Sequence, residues 1–228
     1  MPSEPPAKSP VLLSSGSQAP RAEERERMVR TQLEARDITN ADVLAAMRAV
    51  PRHEFVPDDL VDQAYCDGPL PIGHGVTISQ PYVVALMIQL ARVRPGDRVL
   101  DVGTGSGYQA AVLAAMGAEV YGLEIIESLA SATEQRLRRL GYSATIRVGD
   151  GWAGWPKHAP FDAIVVAAAP TAIPPALTDQ LVEGGRLVLP LGGRGRQDLV
   201  VVTRAPTGVH RRTVIPVAFV PMTGRAQH

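Results

Sequence analysis

The feature that most constrains the fold is an apolar segment that runs into a glycine-rich turn at residues 99–107. It reads Val-Leu-Asp-Val, and Gly103, Gly105 and Gly107 follow before a helical pattern resumes. A buried strand that passes through such a turn into a helix begins a doubly wound sheet, whose ligand lies at the carboxyl ends of the strands. Glycines allow the backbone to approach that ligand closely.

The chain after this turn alternates between short apolar runs and helical patterns. The alternation predicts strands at 98–102, 119–123, 144–148, 161–167 and 186–191, and helices at 106–116, 127–140 and 175–182. Two valine-rich runs, 198–204 and 213–220, predict a terminal hairpin. We therefore expect an α/β, Rossmann-like fold, with a mostly parallel sheet, helices on both faces and a C-terminal antiparallel hairpin.

The part of the chain before the sheet divides by composition. Residues 1–22 are rich in proline, serine, alanine and glycine and predict a disordered tail. The folded domain is then 23–228, with a helical part at 23–95 and the cofactor-binding sheet at 96–228. The helical part predicts helices at 23–36 and, after an Asn40 cap, through Val50. It also contains a loop rich in glycine and proline at 65–82, and loops of this length are often functional.

The overall composition excludes several classes of partner. The 23 basic and 23 acidic residues balance, so no basic field exists to hold a nucleic acid. No apolar run is long enough to cross a membrane. Cys66 is the only cysteine, which fits a reducing compartment, so we expect a cytoplasmic protein. The His53-Glu54 pair lacks the second histidine of a zinc motif, and we expect no metal site.

The residues around the glycine turn favour one kind of ligand over another. A dinucleotide site requires Gly-x-Gly-x-x-Gly, but Tyr108 occupies the last position. Asp101, directly before the turn, would repel a pyrophosphate and would suit the amino group of a methionine moiety, directly or through a water. Glu124 ends the next strand and can accept hydrogen bonds from both ribose hydroxyls. Asp150 and Gly151 end the third predicted strand. Asp150 can accept a hydrogen bond from an adenine amino group, and Gly151 keeps the wall flat.

The loop at 70–82, Leu-Pro-Ile-Gly-His-Gly-Val-Thr-Ile-Ser-Gln-Pro-Tyr, resembles that of the protein-L-isoaspartate O-methyltransferase family. The resemblance runs from about residue 24 to residue 223. The glycine turn is shared by many methyltransferases, whereas this loop is specific. The remaining matching segments are Val50–Arg52, Phe55–Pro57, Gly149–Trp152, Ala159–Ile164, Ala168–Pro170, Gly184–Leu187 and Phe219–Pro221.

The resemblance implies a Rossmann-like fold that uses S-adenosyl-L-methionine, releases S-adenosyl-L-homocysteine and methylates L-isoaspartyl residues of damaged proteins. The methyl ester would then form a succinimide. It implies that Ser79 occupies the catalytic position and that Thr77 and Ile78 line the substrate groove. The cofactor positions would be Gly103, Glu124, Asp150 and Gly151, with Thr223 nearby; the turn adds Asp101, Gly105 and Gly107. His74 is a further candidate for substrate contact, and we expect a monomer.

Two other functions remain open from the sequence. The same chemistry could act on a different carboxylate, such as an aspartate in a modified peptide natural product. His74 and Val76 stand where bacterial relatives often have glutamine, and Ala167 stands where glycine or threonine is usual. The protein could also bind the cofactor without turnover and act through contacts, although Ser79 and Glu124 are both present.

Overall fold

The computed structural model describes residues 21–193 and 195–227, and a seven-stranded sheet lies at its centre. A small antiparallel pair consists of β1 (Leu70–Pro71) and β2 (Thr77–Ile78). The central sheet comprises β3 (Arg98–Val102), β4 (Glu119–Glu124), β5 (Ala144–Val148), β6 (Phe161–Val166), β7 (Leu181–Gly193), β8 (Arg196–Ala205) and β9 (Gly208–Val217). Its order is β5-β4-β3-β6-β7-β8-β9.

The strand directions confirm the predicted sheet. Five neighbouring strands, β5, β4, β3, β6 and β7, run parallel. Strand β8 pairs antiparallel with both β7 and β9. The predicted hairpin is therefore present, but β9 begins at Gly208 and ends at Val217, earlier than the 213–220 run indicated. The residues after Val217 leave the sheet instead. Phe219 forms hydrogen bonds with the side chain of Gln197, near the start of β8.

The helices have these bounds. The α-helices are α1 (Ala22–Met28), α2 (Ala41–Ala49), α3 (Pro81–Ala91), α4 (Tyr108–Ala115), α5 (Glu127–Arg139) and α6 (Pro175–Asp179). A π-helix spans Val29–Glu34, and 3₁₀ turns span Arg52–Phe55, Asp58–Gln63, Gly151–Ala153, Pro156–His158 and Gly224–Gln227. None of the helices among residues 21–193 and 195–227 is long and apolar enough to cross a membrane.

Two helix predictions need correction. The continuous helix expected at 23–36 is an α-helix followed by a π-helix, in which Val29 and Leu33 are both fully buried. The helix expected to reach residue 182 ends at Asp179, because Leu181 pairs with Phe161 and starts β7. Pairing with a neighbouring strand thus overrides the local helical pattern.

The core consists of two layers, one on each face of the sheet. Along β3, Val99 packs into the layer that contains α3 and α4, and Leu100 packs into the layer that contains Leu177 of α6. Both side chains are fully buried. Strands buried on both faces in this way explain the continuous apolar runs of the sequence.

The first helix begins one residue before the predicted helix. Helix α1 begins at Ala22, and Arg21 already donates a hydrogen bond to the carbonyl oxygen of Val61 at 2.9 Å. Residues 1–20, to which the prediction of a disordered tail mainly applies, lie outside the described residues.

Candidate active site

A single cavity lies at the carboxyl ends of the parallel strands and brings together most of the predicted site residues. It is bounded by the loop at 74–79, the turn at 102–106, residues 124–126 at the end of β4, and the segment 220–223 near the C-terminus. Gly149, Gly151, Ala167 and Ala168 complete the wall. This is the edge at which ligands bind to doubly wound sheets.

The turn after β3 is attached to the neighbouring strand by backbone hydrogen bonds. The N–H groups of Gly103 and Thr104 both donate to the carbonyl oxygen of Leu123, at 2.8 and 3.2 Å. The next residue, Gly105, donates its N–H to the Glu124 carboxylate at 3.0 Å. The turn and the end of β4 therefore form one rigid wall of the cavity.

Glu124 is the charged group of this wall. Its side chain lines the cavity although the residue is only 5% exposed. One carboxylate oxygen accepts from the Gly105 N–H, and the other accepts from the Ile126 N–H at 2.9 Å. Each oxygen retains a further lone pair, so two more donors can bind. The burial of this carboxylate distinguishes it from a solvated acidic group at the end of a strand.

The Asp101 side chain is completely buried. Its Oδ1 accepts from Gln109 Nε2 at 2.7 Å, and its Oδ2 has no hydrogen-bond partner in the described part of the chain. Complete burial, together with a smaller contribution from the charge of nearby Glu124, raises the pKa of the Asp101 carboxyl to about 7. Gln109 lines the cavity, but Asp101 is not among the lining residues. The predicted contact between Asp101 and the ligand remains a prediction.

Gly107 and Gly151 are required for close packing. Gly107 precedes α4 with a φ of 88°, and a Cβ there would lie 2.8 Å from Thr133 Cγ2. Gly107 therefore lets α4 approach α5 but does not line the cavity. At Gly151, a Cβ would lie 2.3 Å from Val102 Cγ1, so only glycine keeps this part of the wall flat.

Asp150 serves as an anchor in this structure. Its Oδ1 accepts from the Trp152 N–H and its Oδ2 from the Arg225 N–H, both at 2.9 Å. Asp150 does not line the cavity, although its neighbours Gly149 and Gly151 do. The carboxylate thus holds the C-terminal segment beside the end of β5. Its predicted hydrogen bond to an adenine amino group remains a prediction.

The C-terminal segment forms a wall of the cavity in which only Thr223 was predicted as a site residue. The segment is held by Gln197, whose amide accepts from the Phe219 N–H at 2.7 Å and donates to the Phe219 carbonyl at 3.0 Å. Ala169 exchanges backbone hydrogen bonds with Val220 and Met222. The additional lining residues here are Val220, Pro221 and Met222. The Phe219–Pro221 match to the family already indicated this segment.

The loop residues reach the cavity from the opposite side. His74, Thr77, Ile78 and Ser79 all contribute to its lining. Ile78 is buried and pairs with Leu70 across the small β-sheet. No hydrogen bond within the described residues involves the Ser79 hydroxyl, so it is free to donate. His74, with a φ of 53°, brings its Nε2 to 3.4 Å from the Ser128 hydroxyl on α5.

The charge of the cavity limits what it can bind. Among the described residues that line it, Glu124 is the only acid and there is no lysine or arginine. A pyrophosphate would meet a buried carboxylate without a compensating cation, whereas a cationic ligand would be attracted to it. Within residues 21–193 and 195–227, no group of three or more histidine, cysteine, aspartate or glutamate side chains could hold a metal ion.

The Asp101 pKa predicts how the stability of the ligand-free protein depends on pH. The folded-state pKa of about 7 lies above the ordinary 3.8, so the folded state binds the proton more tightly. This contribution to the free energy of unfolding is fully present below about pH 4 and is lost as the pH rises through 7. Asp101→Asn keeps an oxygen that can accept from Gln109 but has no titrating proton. We therefore expect this pH-dependent contribution to be absent in the variant. Urea unfolding from pH 4 to 8 should show the variant gaining stability relative to the original protein; a constant difference would contradict the assignment.

Comparison with known proteins agrees with this geometry. A model of the protein-L-isoaspartate(D-aspartate) O-methyltransferase family matches residues 23–227. The protein-L-isoaspartate O-methyltransferase of Opitutus terrae is 55% identical over 205 residues, covering 89% of this chain and 88% of its own. That of Gloeobacter violaceus is 56% identical over 198 residues, covering 86% and 97%.

Solved structures show the same relationship. A Plasmodium falciparum protein, described as a protein-L-isoaspartate O-methyltransferase in complex with S-adenosyl-L-homocysteine, superposes with a TM-score of 0.76 at 28% identity. The match covers 87% of this chain and 98% of that one. Another protein-L-isoaspartate O-methyltransferase superposes with a TM-score of 0.82 at 26% identity, covering 89% and 67%. The chain therefore belongs to the protein-L-isoaspartate O-methyltransferase family.

Proposed function

We propose that the protein transfers a methyl group from S-adenosyl-L-methionine to the α-carboxylate of L-isoaspartyl residues in damaged proteins and peptides. The observation that carries this proposal is the shared cavity: the loop with Ser79 and the turn with Gly103 line the same space. A methyl donor held by the turn and an acceptor held by the loop would thus meet inside the protein. Family membership supplies the identity of both substrates.

The residues present fit S-adenosyl-L-methionine. Glu124 retains acceptor capacity for ribose hydroxyls, and its charge complements the positive charges of the ligand. Gly151 leaves a flat wall where a planar base can lie. Thr223 stands at the exposed mouth. When bound, the cofactor supplies a methyl group on a positively charged sulfur, which departs as a neutral thioether.

The acceptor needs little chemical activation from the protein. A carboxylate is ionised and nucleophilic at pH 7, since its ordinary pKa is near 4. A general base is therefore unnecessary, and the task of the chain is to align the acceptor oxygen. The Ser79 hydroxyl would donate a hydrogen bond that orients the carboxylate, while Thr77 and Ile78 line its groove. Orientation alone can remove roughly 7–11 kcal/mol from a barrier.

The repair step follows the methylation without further catalysis. In the methyl ester, the neighbouring backbone amide nitrogen attacks the ester carbonyl and methanol leaves. The resulting succinimide takes up water and opens in part to a normal aspartate. The enzyme would therefore only have to form the ester and release it.

The physiological setting is also part of the proposal. The balanced charge of the chain and its single, exposed cysteine fit a cytoplasmic enzyme that acts as a monomer on protein and peptide substrates. The exposed positions of His74 and Thr77 fit access by a peptide from solvent, and His74 would contact it. Neither nucleic acid nor membrane is needed for this role.

Ser79→Ala tests the orienting role of the hydroxyl. We expect turnover of an isoaspartyl peptide to fall about tenfold or more, because a hydrogen bond to a charged group contributes about 1.5–3 kcal/mol. Cofactor affinity should stay within about twofold, since the hydroxyl acts on the acceptor. Steady-state kinetics and calorimetry measure the two quantities. Ser131→Ala, on the exposed face of α5, is the matched control; full activity in Ser79→Ala would remove the residue from the mechanism.

Glu124→Ala tests the cofactor wall. We expect the Kd for S-adenosyl-L-homocysteine to rise at least about tenfold, because losing one charged hydrogen bond exceeds the ~1.4 kcal/mol that a factor of ten requires. Glu124→Gln, whose amide oxygen can still accept from one of the two backbone N–H groups, should bind more tightly than the alanine variant. Calorimetric titration compares both with Glu134→Ala, an exposed glutamate on α5. An unchanged Kd in Glu124→Ala would exclude this residue from the site.

A further inference from the structure

A polar network outside the cavity joins the N-terminal helices to the loop that carries Ser79. Asp67 is its central residue. One Asp67 oxygen accepts a hydrogen bond from Gln80 Nε2 at 2.7 Å, and the other accepts from the Arg36 guanidinium. None of these three residues lines the cavity. Gln80, however, directly follows Ser79 in the chain.

The position of Gln80 explains why its side chain matters. Gln80 is the N-cap residue of α3, but its side chain makes no capping hydrogen bond and extends to Asp67 instead. On the other side of Ser79, Ile78 is buried and paired with Leu70. Ser79 is therefore held between an apolar anchor and a polar anchor, and only the polar one depends on a separate charged residue.

The π-helix and the residues directly after it also hold the two ends of the loop. Gln32 donates to the Tyr65 carbonyl oxygen at 2.8 Å, where the loop begins. The Arg36 guanidinium lies 4.5 Å from the centre of the Tyr82 ring, where the loop ends. The Tyr82 hydroxyl donates to Asp37 at 2.7 Å. Arg36 thus fixes Asp67 from a segment that is already attached to both ends of the loop.

We propose that Asp67 is a positioning residue for methyl transfer: through Gln80 it holds Ser79 at the acceptor side of the cavity. This rests on the proposed function, in which Ser79 orients the carboxylate. The Asp67 and Arg36 side chains are 35% and 37% exposed, so solvent screens their attraction and its contribution to overall stability is small. Its effect is expected in the geometry of the reaction, where a displacement of about 1 Å can cost up to about a hundredfold in rate.

The kinetic test separates positioning from general support of the fold. In Asp67→Ala we expect kcat with an isoaspartyl peptide to fall about tenfold, with cofactor Kd within about twofold of the original. Asp67→Asn keeps an oxygen that accepts from Gln80 and should recover most of the rate. Asp62→Ala is the matched control, because Asp62 also pairs with an arginine of the N-terminal segment, and among the described residues its side chain forms no hydrogen bond or ion pair with the loop at 65–82.

A double-mutant cycle tests the route through Gln80. If Asp67 acts through Gln80, combining Asp67→Ala with Gln80→Ala should lower kcat no more than the larger single effect. Losses that multiply would show that the two residues act separately and would overturn the proposal. An unchanged kcat in Asp67→Ala, or an equal loss of cofactor affinity, would overturn it as well.

Amide hydrogen exchange tests the positioning step independently of activity. In Asp67→Ala, we expect faster exchange at residues 77–80, and no change in the second half of α3 or in Asp62→Ala. Unchanged exchange at residues 77–80 overturns the proposal. If the original protein methylates no isoaspartyl peptide, the proposed function fails, yet exchange still decides whether Asp67 holds Ser79. Faster exchange without a loss of kcat would show that the contact has no catalytic consequence.

Discussion

The site depends on the hydrogen bonds that the buried carboxylate of Glu124 accepts. This carboxylate sits at the end of β4 and accepts hydrogen bonds from the N–H groups of Gly105 and Ile126. Because these donors come from two segments, the charge joins the turn after β3 to the turn after β4. A buried charge is stable only when it is hydrogen-bonded, and here the backbone satisfies it on both oxygens. The geometry of the cavity follows from this arrangement.

The same carboxylate determines which ligand charge the cavity favours. The lining residues within the described ranges include no lysine or arginine, so the cavity favours a cationic donor over a pyrophosphate. Around this wall, two further segments complete the enclosure. Asp150 and Gln197 hold the C-terminal segment through its backbone, and the small β1–β2 sheet holds the loop with Ser79. The wall that contains Glu124 and the loop that contains Ser79 are thus supported by different anchors. Under the proposed function, changes to the wall should affect cofactor affinity, and changes to the loop should affect turnover.

Much of the sheet was predictable from the sequence, since strands buried on both faces appear as continuous apolar runs. The strands at 98–102 and 119–123 occur close to the predicted bounds, and so do the helix after Asn40 and the partly exposed edge strand at 144–148. Two of the errors arose where non-local pairing decides the structure. Leu181 joins β7 because Phe161 lies beside it, and the chain leaves β9 after Val217 to bond with Gln197.

The site was predictable to a similar extent. The family motif placed Ser79, Glu124 and Thr223, and the structure brings all three to one cavity. Residue type alone did not reveal that Asp150 accepts from the Arg225 N–H, because that contact joins distant parts of the chain. It also did not reveal that Asp101 accepts from Gln109, which itself lines the cavity, because that contact depends on rotamers. The anchors Asp67 and Gln197 lie outside the cavity, and no local pattern marked them.

The most direct measurement is methyl transfer from labelled S-adenosyl-L-methionine to a peptide that contains isoaspartate, beside the same peptide with aspartate. We expect label on the isoaspartyl peptide alone, in base-labile form as a methyl ester. Transfer to neither peptide, with the cofactor still bound, would contradict the central claim and would favour a different carboxylate acceptor. Equal transfer to both peptides would also contradict it, since the loop would then not recognise the isoaspartyl group.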